Sequence, residues 1–151
     1  MRKQISLILF LSFLACSEKI SVSDLNYING YWEIEEVKFP DGESKEYDVN
    51  LTIDYFEYKN MKGFRKKVQP TFDGTYNTSS DAESFQINER DGFFWMSYQN
   101  DLSSWEEQIT EITKSNMVVK NKEGFLGYLT NIARIYLHFF QVVPFKNMVI
   151  I

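Results

Sequence analysis

The sequence predicts an all-β domain, an antiparallel meander of strands that closes into an up-and-down barrel. Short runs of alternating apolar and polar residues recur along the chain, and turn residues separate these runs at short intervals. Aromatic residues make up 17% of the 151 residues, and aromatic side chains favour strands that bury one face. Consecutive strands joined by tight turns close most simply into a barrel, which also removes exposed edges.

The first fifteen residues have the three parts of a secretion signal. Positive charges at Arg2 and Lys3 precede an apolar run over residues 5–14, and the small residue Ala15 follows. The charges hold the start of the chain on the cytoplasmic side while the apolar run enters the bilayer. The run has about half of the roughly 20 residues that a transmembrane helix needs, so a cleaved signal is the better interpretation.

The residues Phe13-Leu14-Ala15-Cys16 resemble the lipobox of bacterial lipoproteins. The resemblance implies that the chain is cut before Cys16 and that this residue, the only cysteine, then carries acyl chains. Each buried methylene contributes about 0.8 kcal/mol to membrane binding, so two or three chains would hold the protein on a bilayer for long periods. The alternative is a free thiol in a cleaved signal peptide. By the sorting rule that accompanies the resemblance, Ser17 indicates the outer membrane, with periplasmic or surface display left open.

The mature chain, residues 16–151, is expected to be strongly acidic. Cleavage removes two positive charges and no acid, which changes the formal net charge from −5 to −7. An acidic domain is a poor candidate for nucleic acid or for anionic membrane surfaces, so contact with a bilayer would depend on the acyl chains. With Cys16 lipidated, no internal disulfide can form, and the core alone must hold the fold.

Residues 16–28 are expected to form a lipidated tether, and residues 29–124 to form the barrel. The first strand begins near Tyr31, and a phase slip at Glu36 indicates a bulge. A turn then leads to the clearest alternation in the chain, which predicts one half-buried strand over residues 47–55. The apolar face of that strand carries Tyr47, Leu51 and Tyr55. Further short β-type runs follow at 64–68, 71–76, 84–88, 93–98, 105–112 and 117–120.

Residues 125–151 form an atypical apolar segment. Their apolar side chains recur at intervals of three and four, which is the period of an amphipathic helix. A membrane-spanning helix is disfavoured because Arg134 would lie near its middle, at a cost of about 2.5–3.5 kcal/mol. The pattern leaves three interpretations open: a packed C-terminal helix, a last barrel strand, or a reading-frame error that replaced that strand.

Gly30 and Trp32, at the start of the first strand, resemble the Gly-x-Trp element of lipocalin-like proteins. In that family the glycine permits close backbone packing, and the tryptophan plugs one end of an eight-stranded barrel. With the lipoprotein signal and the meander, the chain resembles small lipocalin-like lipoproteins of bacterial envelopes over about residues 28–123. The resemblance implies a lipocalin-like barrel.

The residue types that catalysis and metal binding require are scarce. The only histidine is His138, so a nucleophile elsewhere in the chain would lack an imidazole base. One histidine and one lipidated cysteine cannot supply the three or four ligands of a zinc site. Glu106 and Glu107 are adjacent, so in a strand they face opposite sides and cannot act as the paired acids of glycoside hydrolysis. We therefore expect no enzymatic activity, no cofactor and no bound metal.

Two candidate binding surfaces follow from the pattern. If the barrel holds a ligand, the side chains expected around it are Trp32 as the floor, with Tyr47, Leu51, Tyr55, Phe94 and Trp95. A basic run could form an exposed patch for an acidic partner, and it comprises Arg65, Lys66 and Lys67. Such a run is more often only the solvated end of a hairpin.

The leading functional hypothesis is a membrane-anchored lipocalin-like lipoprotein of the bacterial cell envelope that binds a small apolar ligand without catalysis. We expect it to be a monomer on the outer membrane, with no nucleic-acid partner. The alternative is an envelope interaction module with a solid core that acts through its surface. A connected interior cavity of about a few hundred Å³ would favour the first hypothesis, and a packed interior the second.

Overall fold

In the computed structural model, the described residues are 19–48, 50–71, 76–78 and 81–132, and these ranges contain ten strands and one short 3-10 helix. The 3-10 helix spans Asp24–Ile28. The strands are β1 (Gly30–Lys38), β2 (Ser44–Glu46), β3 (Ile53–Lys59), β4 (Lys62–Pro70), β5 (Tyr76–Thr78), β6 (Glu83–Arg90), β7 (Phe93–Gln99), β8 (Ser104–Ile112), β9 (Asn116–Asn121) and β10 (Leu126–Asn131). Cys16, Arg134 and His138 lie outside the described residues. Within these ranges, no helix has the length and apolar content that crossing a bilayer requires.

Eight of the described strands form a closed antiparallel ring. Its order is β1, β3, β4, β6, β7, β8, β9, β10, and β10 pairs back to β1 from Trp32↔Asn131 to Lys38↔Leu126. The two remaining strands are short additions, since β2 pairs with the end of β1 and β5 with the end of β4. The prediction of an all-β meander that closes into an up-and-down barrel is confirmed.

The bulge predicted in β1 is present, but the strand predicted after it is shorter than expected. The register between β1 and β10 shifts between Ile34 and Glu36. Between β2 and β3 the chain leaves the sheet, and Asn50 Nδ2 donates to the Ile34 carbonyl oxygen at 2.8 Å. A side-chain amide thus replaces a ladder hydrogen bond. The prediction of one continuous strand over residues 47–55 is therefore wrong, because pairing resumes only at Ile53.

Of the three interpretations left open for the C-terminal segment, the barrel strand is the one that applies to its described part. Leu126–Asn131 is β10, which pairs with both β9 and β1, so the barrel continues beyond residue 124. The helical spacing arose because both faces of this strand carry apolar side chains. Leu129 is buried in the core, whereas Tyr128 lies on the other face beneath the Lys38 ammonium, which is 4.6 Å from its ring centre. The later part of the segment, residues 133–151, lies outside the described residues.

The apolar core occupies the end of the barrel that the 3-10 helix covers. Leu25 and Ile28 of that helix are fully buried against Trp32, whose Nε1 donates to the Ile28 carbonyl oxygen at 2.9 Å. Inward-facing side chains from the surrounding strands complete this core, among them Phe56, Phe85, Ile87, Phe94, Met96, Ile109, Met117 and Leu129. One end of the barrel is therefore sealed, and the residues that line the other half decide what the barrel can hold.

Candidate functional site

The six side chains predicted to surround a ligand do not converge. Trp32 and Phe94 face the barrel interior, but both are buried in the packed apolar core. Tyr55 lies on the outer face of β3, where it packs with a separate cluster of Ile53 and Val68. Trp95 lies on the outer face of β7.

Tyr47 and Leu51 belong to the connection between β2 and β3. Leu51 is 83% exposed, and Tyr47 lies beneath the Lys45 ammonium, which is 4.7 Å from its ring centre. The alternating pattern predicted that Tyr47 and Leu51 lie on the inner face of a strand. These residues are not in a strand, because the chain leaves the sheet between β2 and β3. The sequence predicted that Tyr47, Leu51, Tyr55 and Trp95 line the barrel interior. That prediction is wrong for these four residues.

The basic run is not one exposed patch. Alternation along β4 directs Arg65 and Lys67 into the barrel and Lys66 outward, where its ammonium lies 6.0 Å from the ring centre of Phe64. In the ladder with β3, Lys67 is the neighbour of Asp54, whose side chain faces inward. The surface patch predicted at Arg65, Lys66 and Lys67 is therefore wrong, because neighbouring residues of a strand point to opposite faces.

Arg65 is the centre of a charged layer that crosses the barrel interior. Its Nη2 donates to Glu83 Oε2 at 2.7 Å, its Nε lies 3.9 Å from Asp54 Oδ1, and its Nη1 lies 3.7 Å from Glu107 Oε2. Lys67 Nζ lies 2.8 Å from Asp54 Oδ1 and donates to Oδ2 at 2.9 Å. Asp54 on β3 and Glu107 on β8 lie on opposite walls, because four steps separate these strands in the eight-strand ring. The charged layer thus spans the interior.

Burial controls the electrostatics of the charged layer. It raises the pKa of Glu107, with the Arg65 charge and the Tyr98 hydroxyl opposing that shift. Burial also raises the pKa of Tyr98, whose ring centre lies 5.0 Å from Arg65 Cζ. Burial would lower the pKa of Arg65, but Tyr98, Glu107 and Asp54 together raise it, so Arg65 stays a cation. The charged layer contains two cations, Arg65 and Lys67, and three carboxylates, Asp54, Glu83 and Glu107. When Glu107 is protonated, the net charge of the layer is zero.

Towards the end of the barrel away from the 3-10 helix, the interior wall carries partly buried apolar side chains. Trp105 lies two residues further from the sealed end than Glu107, and it stacks on Tyr98 with ring centres 4.9 Å apart and planes 7° from parallel. Ile34 and Val119 pack over Gly127, where an added Cβ would lie 3.4 Å from Val119 Cγ2 and 3.8 Å from Ile34 Cδ1. Apolar side chains therefore line part of the interior at that end.

A groove of about 1060 Å³ crosses the outer face of β6 to β9. It contains a row of hydrogen bonds: Asn88 Nδ2 donates to Ser97 Oγ at 3.0 Å, and Ser97 Oγ donates to Glu106 Oε1 at 2.7 Å. Arg90 Nη2 donates to the other carboxylate oxygen of Glu106 at 2.8 Å, and the Arg90 guanidinium lies 4.5 Å from the ring centre of Trp95. The hydrogen bonds from Ser97 and Arg90 lower the pKa of Glu106.

The sequence did not reveal which acids meet Arg65. The three acids, Asp54, Glu83 and Glu107, come from three different strands. Only the buried apolar residues two positions away from each acid, on the same face of its strand, could have indicated that it points inward. Among the described residues, no group of three or more His, Cys, Asp or Glu side chains is arranged to hold a metal ion. The polar chemistry seen at both sites is ion pairing and hydrogen bonding.

The profile of the lipocalin-like domain family matches residues 28–119. No curated protein matches the sequence. Among solved structures, a lipocalin-like protein from Bacteroides uniformis ATCC 8492 is similar at 11% identity and a TM-score of 0.44, over 70% of this chain and 98% of that chain. Apocrustacyanin C1 is similar at 12% identity and a TM-score of 0.43, over 83% and 76% of the two chains. Apocrustacyanin C2 is similar at 13% identity and a TM-score of 0.43, over 81% and 72%.

Proposed function

Because this chain belongs to the lipocalin-like domain family, we propose that it is a non-catalytic binding protein that holds a small, largely apolar ligand in the half of its barrel away from the 3-10 helix. Acyl chains on Cys16 anchor it to the outer membrane of a bacterial envelope. The anchor and the location rest on the sequence around Cys16, which resembles a lipobox. The ligand site rests on the described barrel.

The position of Trp105 carries the ligand proposal. Its indole lies on the inner face of β8, partly exposed, and one face of it is fixed against the buried ring of Tyr98. A ligand that covers this surface removes apolar area from water, which stabilises the complex by about 25 cal/mol per Å². Ile34 and Val119 add further apolar wall, and both pack close to Gly127.

The charged layer forms the base of the proposed site. A ligand that covered Arg65 and Glu107 without hydrogen-bonding them would bury charge, which is costly unless the polar groups find partners. The ligand that fits best therefore has an apolar body against Trp105 and a single polar end directed towards the charged layer. The layer also limits how deeply the ligand can enter, so a short molecule fits better than a long acyl chain.

Native mass spectrometry of the full chain, extracted from its own membrane in a mild detergent, tests the proposal. We expect an acyl mass that disappears in Cys16→Ser, together with a small retained ligand. Trp105→Ala should lose that ligand, and Trp95→Ala, an equal truncation on the outer face, should keep it. The neutral fluorophore N-phenyl-1-naphthylamine serves as a second probe, which wild type and Trp95→Ala should bind and Trp105→Ala should not.

A solid-core interaction module is the second candidate function. The apolar core and the charged layer favour it, because together they occupy the sealed end and the middle of the described interior. If folded wild-type protein retains no ligand and fails to bind the fluorophore, or if Trp105→Ala binds as well as wild type, the barrel proposal is overturned and this candidate remains.

A further inference from the structure

The groove on the outer face of β6 to β9 is a cationic region on an acidic protein. Its four cationic side chains are Lys62, Arg90, Lys120 and Lys122, and its two carboxylates are Asp91 and Glu106. The whole chain has a net charge of −5. We propose that this groove is a second binding site, which takes a short acidic oligosaccharide that carries uronic carboxylates. The test of this proposal is separate from that of the barrel ligand, and it does not use Trp105, which borders both sites.

The groove keeps a formal net charge of +2, because its four cationic side chains outnumber its two carboxylates. Both carboxylate oxygens of Glu106 accept hydrogen bonds, one from Ser97 and one from Arg90. The side chains of Lys62, Lys120 and Lys122 are exposed at the sides of the groove. These lysines therefore supply the attraction for a ligand carboxylate.

Arg90 is held in a fixed position where a ligand can reach it. The guanidinium stacks over Trp95 and donates Nη2 to Glu106, so its orientation is set before any ligand arrives. A guanidinium has five N–H donors, and a planar fork of donors matches a carboxylate. A uronic carboxylate that meets Arg90 therefore loses little conformational entropy in forming a charge-assisted hydrogen bond.

The neutral part of the groove suits sugar hydroxyls. Gln86, Asn88, Gln99 and Gln108 carry amides that both donate and accept hydrogen bonds, as each sugar hydroxyl does. The half-buried ring of Trp95 lies between Asn88 and Gln108 in the sheet and supports the Arg90 guanidinium, so hydrogen bonds are the sugar contacts expected here. An apolar helix or peptide would leave these amides without partners.

The size and the overall charge limit the occupant to a short chain. The groove volume of about 1060 Å³ slightly exceeds the roughly 300–1,000 Å³ typical of ligand sites. A long polyanion such as a nucleic acid would extend past the cationic region onto an acidic surface, which repels it. A few uronic residues place carboxylates next to the lysines without meeting the rest of the protein.

Isothermal titration calorimetry of the full chain with tetragalacturonate tests the proposal, with maltotetraose as the neutral oligosaccharide of equal length. We expect tetragalacturonate to bind and to weaken as salt is added, and maltotetraose to give no measurable binding. The double variant Lys120→Ala/Lys122→Ala should weaken tetragalacturonate binding about tenfold or more, since two charge-assisted contacts are lost. Lys45→Ala/Lys59→Ala removes the same charge outside the groove and should leave the affinity unchanged.

Three results would overturn the proposal: no binding of tetragalacturonate by folded wild type, equal weakening in both double variants, or equal binding of maltotetraose. All four lysines are exposed, so circular dichroism should show both double variants folded. The barrel ligand is assayed separately through N-phenyl-1-naphthylamine and Trp105→Ala, so failure at one site is distinguishable from failure at the other.

Discussion

Arg65 on β4 and Glu107 on β8 meet inside the barrel, with Nη1 of the arginine 3.7 Å from Oε2 of the glutamate. Two strands, β6 and β7, separate them in the ring, so this contact links parts of the wall that share no backbone hydrogen bond. A buried ion pair adds little net stability compared with an apolar pair, but removal of one partner leaves an uncompensated charge. Loss of Arg65, which all three carboxylates approach, should therefore cost more than loss of Glu107.

Arg65→Met should be strongly destabilising. It leaves three carboxylates, Asp54, Glu83 and Glu107, facing the space that the guanidinium occupied. We expect the free energy of unfolding in urea to fall by about 3–5 kcal/mol. Lys66→Met is the matched control, because Lys66 is the next residue of the same strand but points outward, and a change within about 0.5 kcal/mol is expected there. Equal stability of the two variants would show that Arg65 does not organise the interior.

Glu107→Gln should stabilise the protein at neutral pH. Burial raises the pKa of Glu107 in the folded state, so deprotonation opposes folding. That penalty is complete above the folded pKa and disappears as the pH falls through it towards the unfolded value of about 4.3. Urea unfolding as a function of pH should therefore show the variant more stable than wild type at pH 7, with the difference vanishing near pH 4.

Glu106→Gln, at the adjacent position, should change stability in the opposite direction. Hydrogen bonds from Ser97 and Arg90 lower the pKa of Glu106, so its charged form contributes stability above the unfolded pKa, and this is lost as the pH falls through the folded pKa. The effect should be small because the side chain is 40% exposed and solvent screens it. If both glutamine variants moved stability in the same direction at pH 7, the assignment of one acid to the interior and one to the surface would be wrong.

The fold could be predicted because its signals are local and repeated. Alternation, turn residues and the Gly30-Tyr31-Trp32 element each follow from a few neighbouring residues, and together they predicted strand pairing around a closed ring. Most strand pairs of the ring join strands that are close in the sequence. Only the pairing of β10 with β1 joins distant parts of the chain. The position of the closing strand was left undecided because Tyr128 and Leu129 are apolar on opposite faces, which produces a helical spacing.

The site could not be predicted because alternation does not say which face of a strand lies inside. The sequence predicted Tyr55 inward, and the structure places it outward with Asp54 inward. The outer face of this part of the barrel carries its own aromatic cluster, in which Tyr31 stacks on Tyr76 with ring centres 4.4 Å apart. That cluster produces the same apolar pattern as a core face. The charges of the interior pair across strands, and a single sequence contains no signal for such pairs.

Gly63→Ala should destabilise the barrel through close packing. A Cβ at Gly63 would overlap the carbonyl oxygen of Glu57 and lie 2.5 Å from Cζ of Phe85, which is buried in the core. Because the backbone oxygen cannot move independently, we expect a loss of about 1–3 kcal/mol in urea unfolding. Gly42→Ala is the control. Gly42 has a φ of +92°, but no atom lies within 4 Å of the position that an alanine methyl would occupy, so backbone strain alone should cost about 1 kcal/mol. A smaller loss at Gly63 than at Gly42 would contradict the packing argument.

Asn50 should prove to be the residue that holds the connection between β2 and β3 against the barrel. Its Nδ2 donates to the Ile34 carbonyl oxygen at 2.8 Å and to Glu33 Oε1 at 3.1 Å. Asn50→Ala leaves both acceptors without this donor, and we expect a loss of about 1–2 kcal/mol.

Asn50→Asp separates a donor role from simple space filling, because the carboxylate has almost the same shape as the amide. At pH 7 it can only accept hydrogen bonds, so it faces two oxygens and should be less stable than Asn50→Ala. Near pH 3 the protonated acid can donate again, and urea unfolding should show the aspartate variant equal to or more stable than the alanine variant. If the two variants kept the same order at both pH values, the amide would be acting through its size, and the hydrogen bond to Ile34 would not be what holds the connection in place.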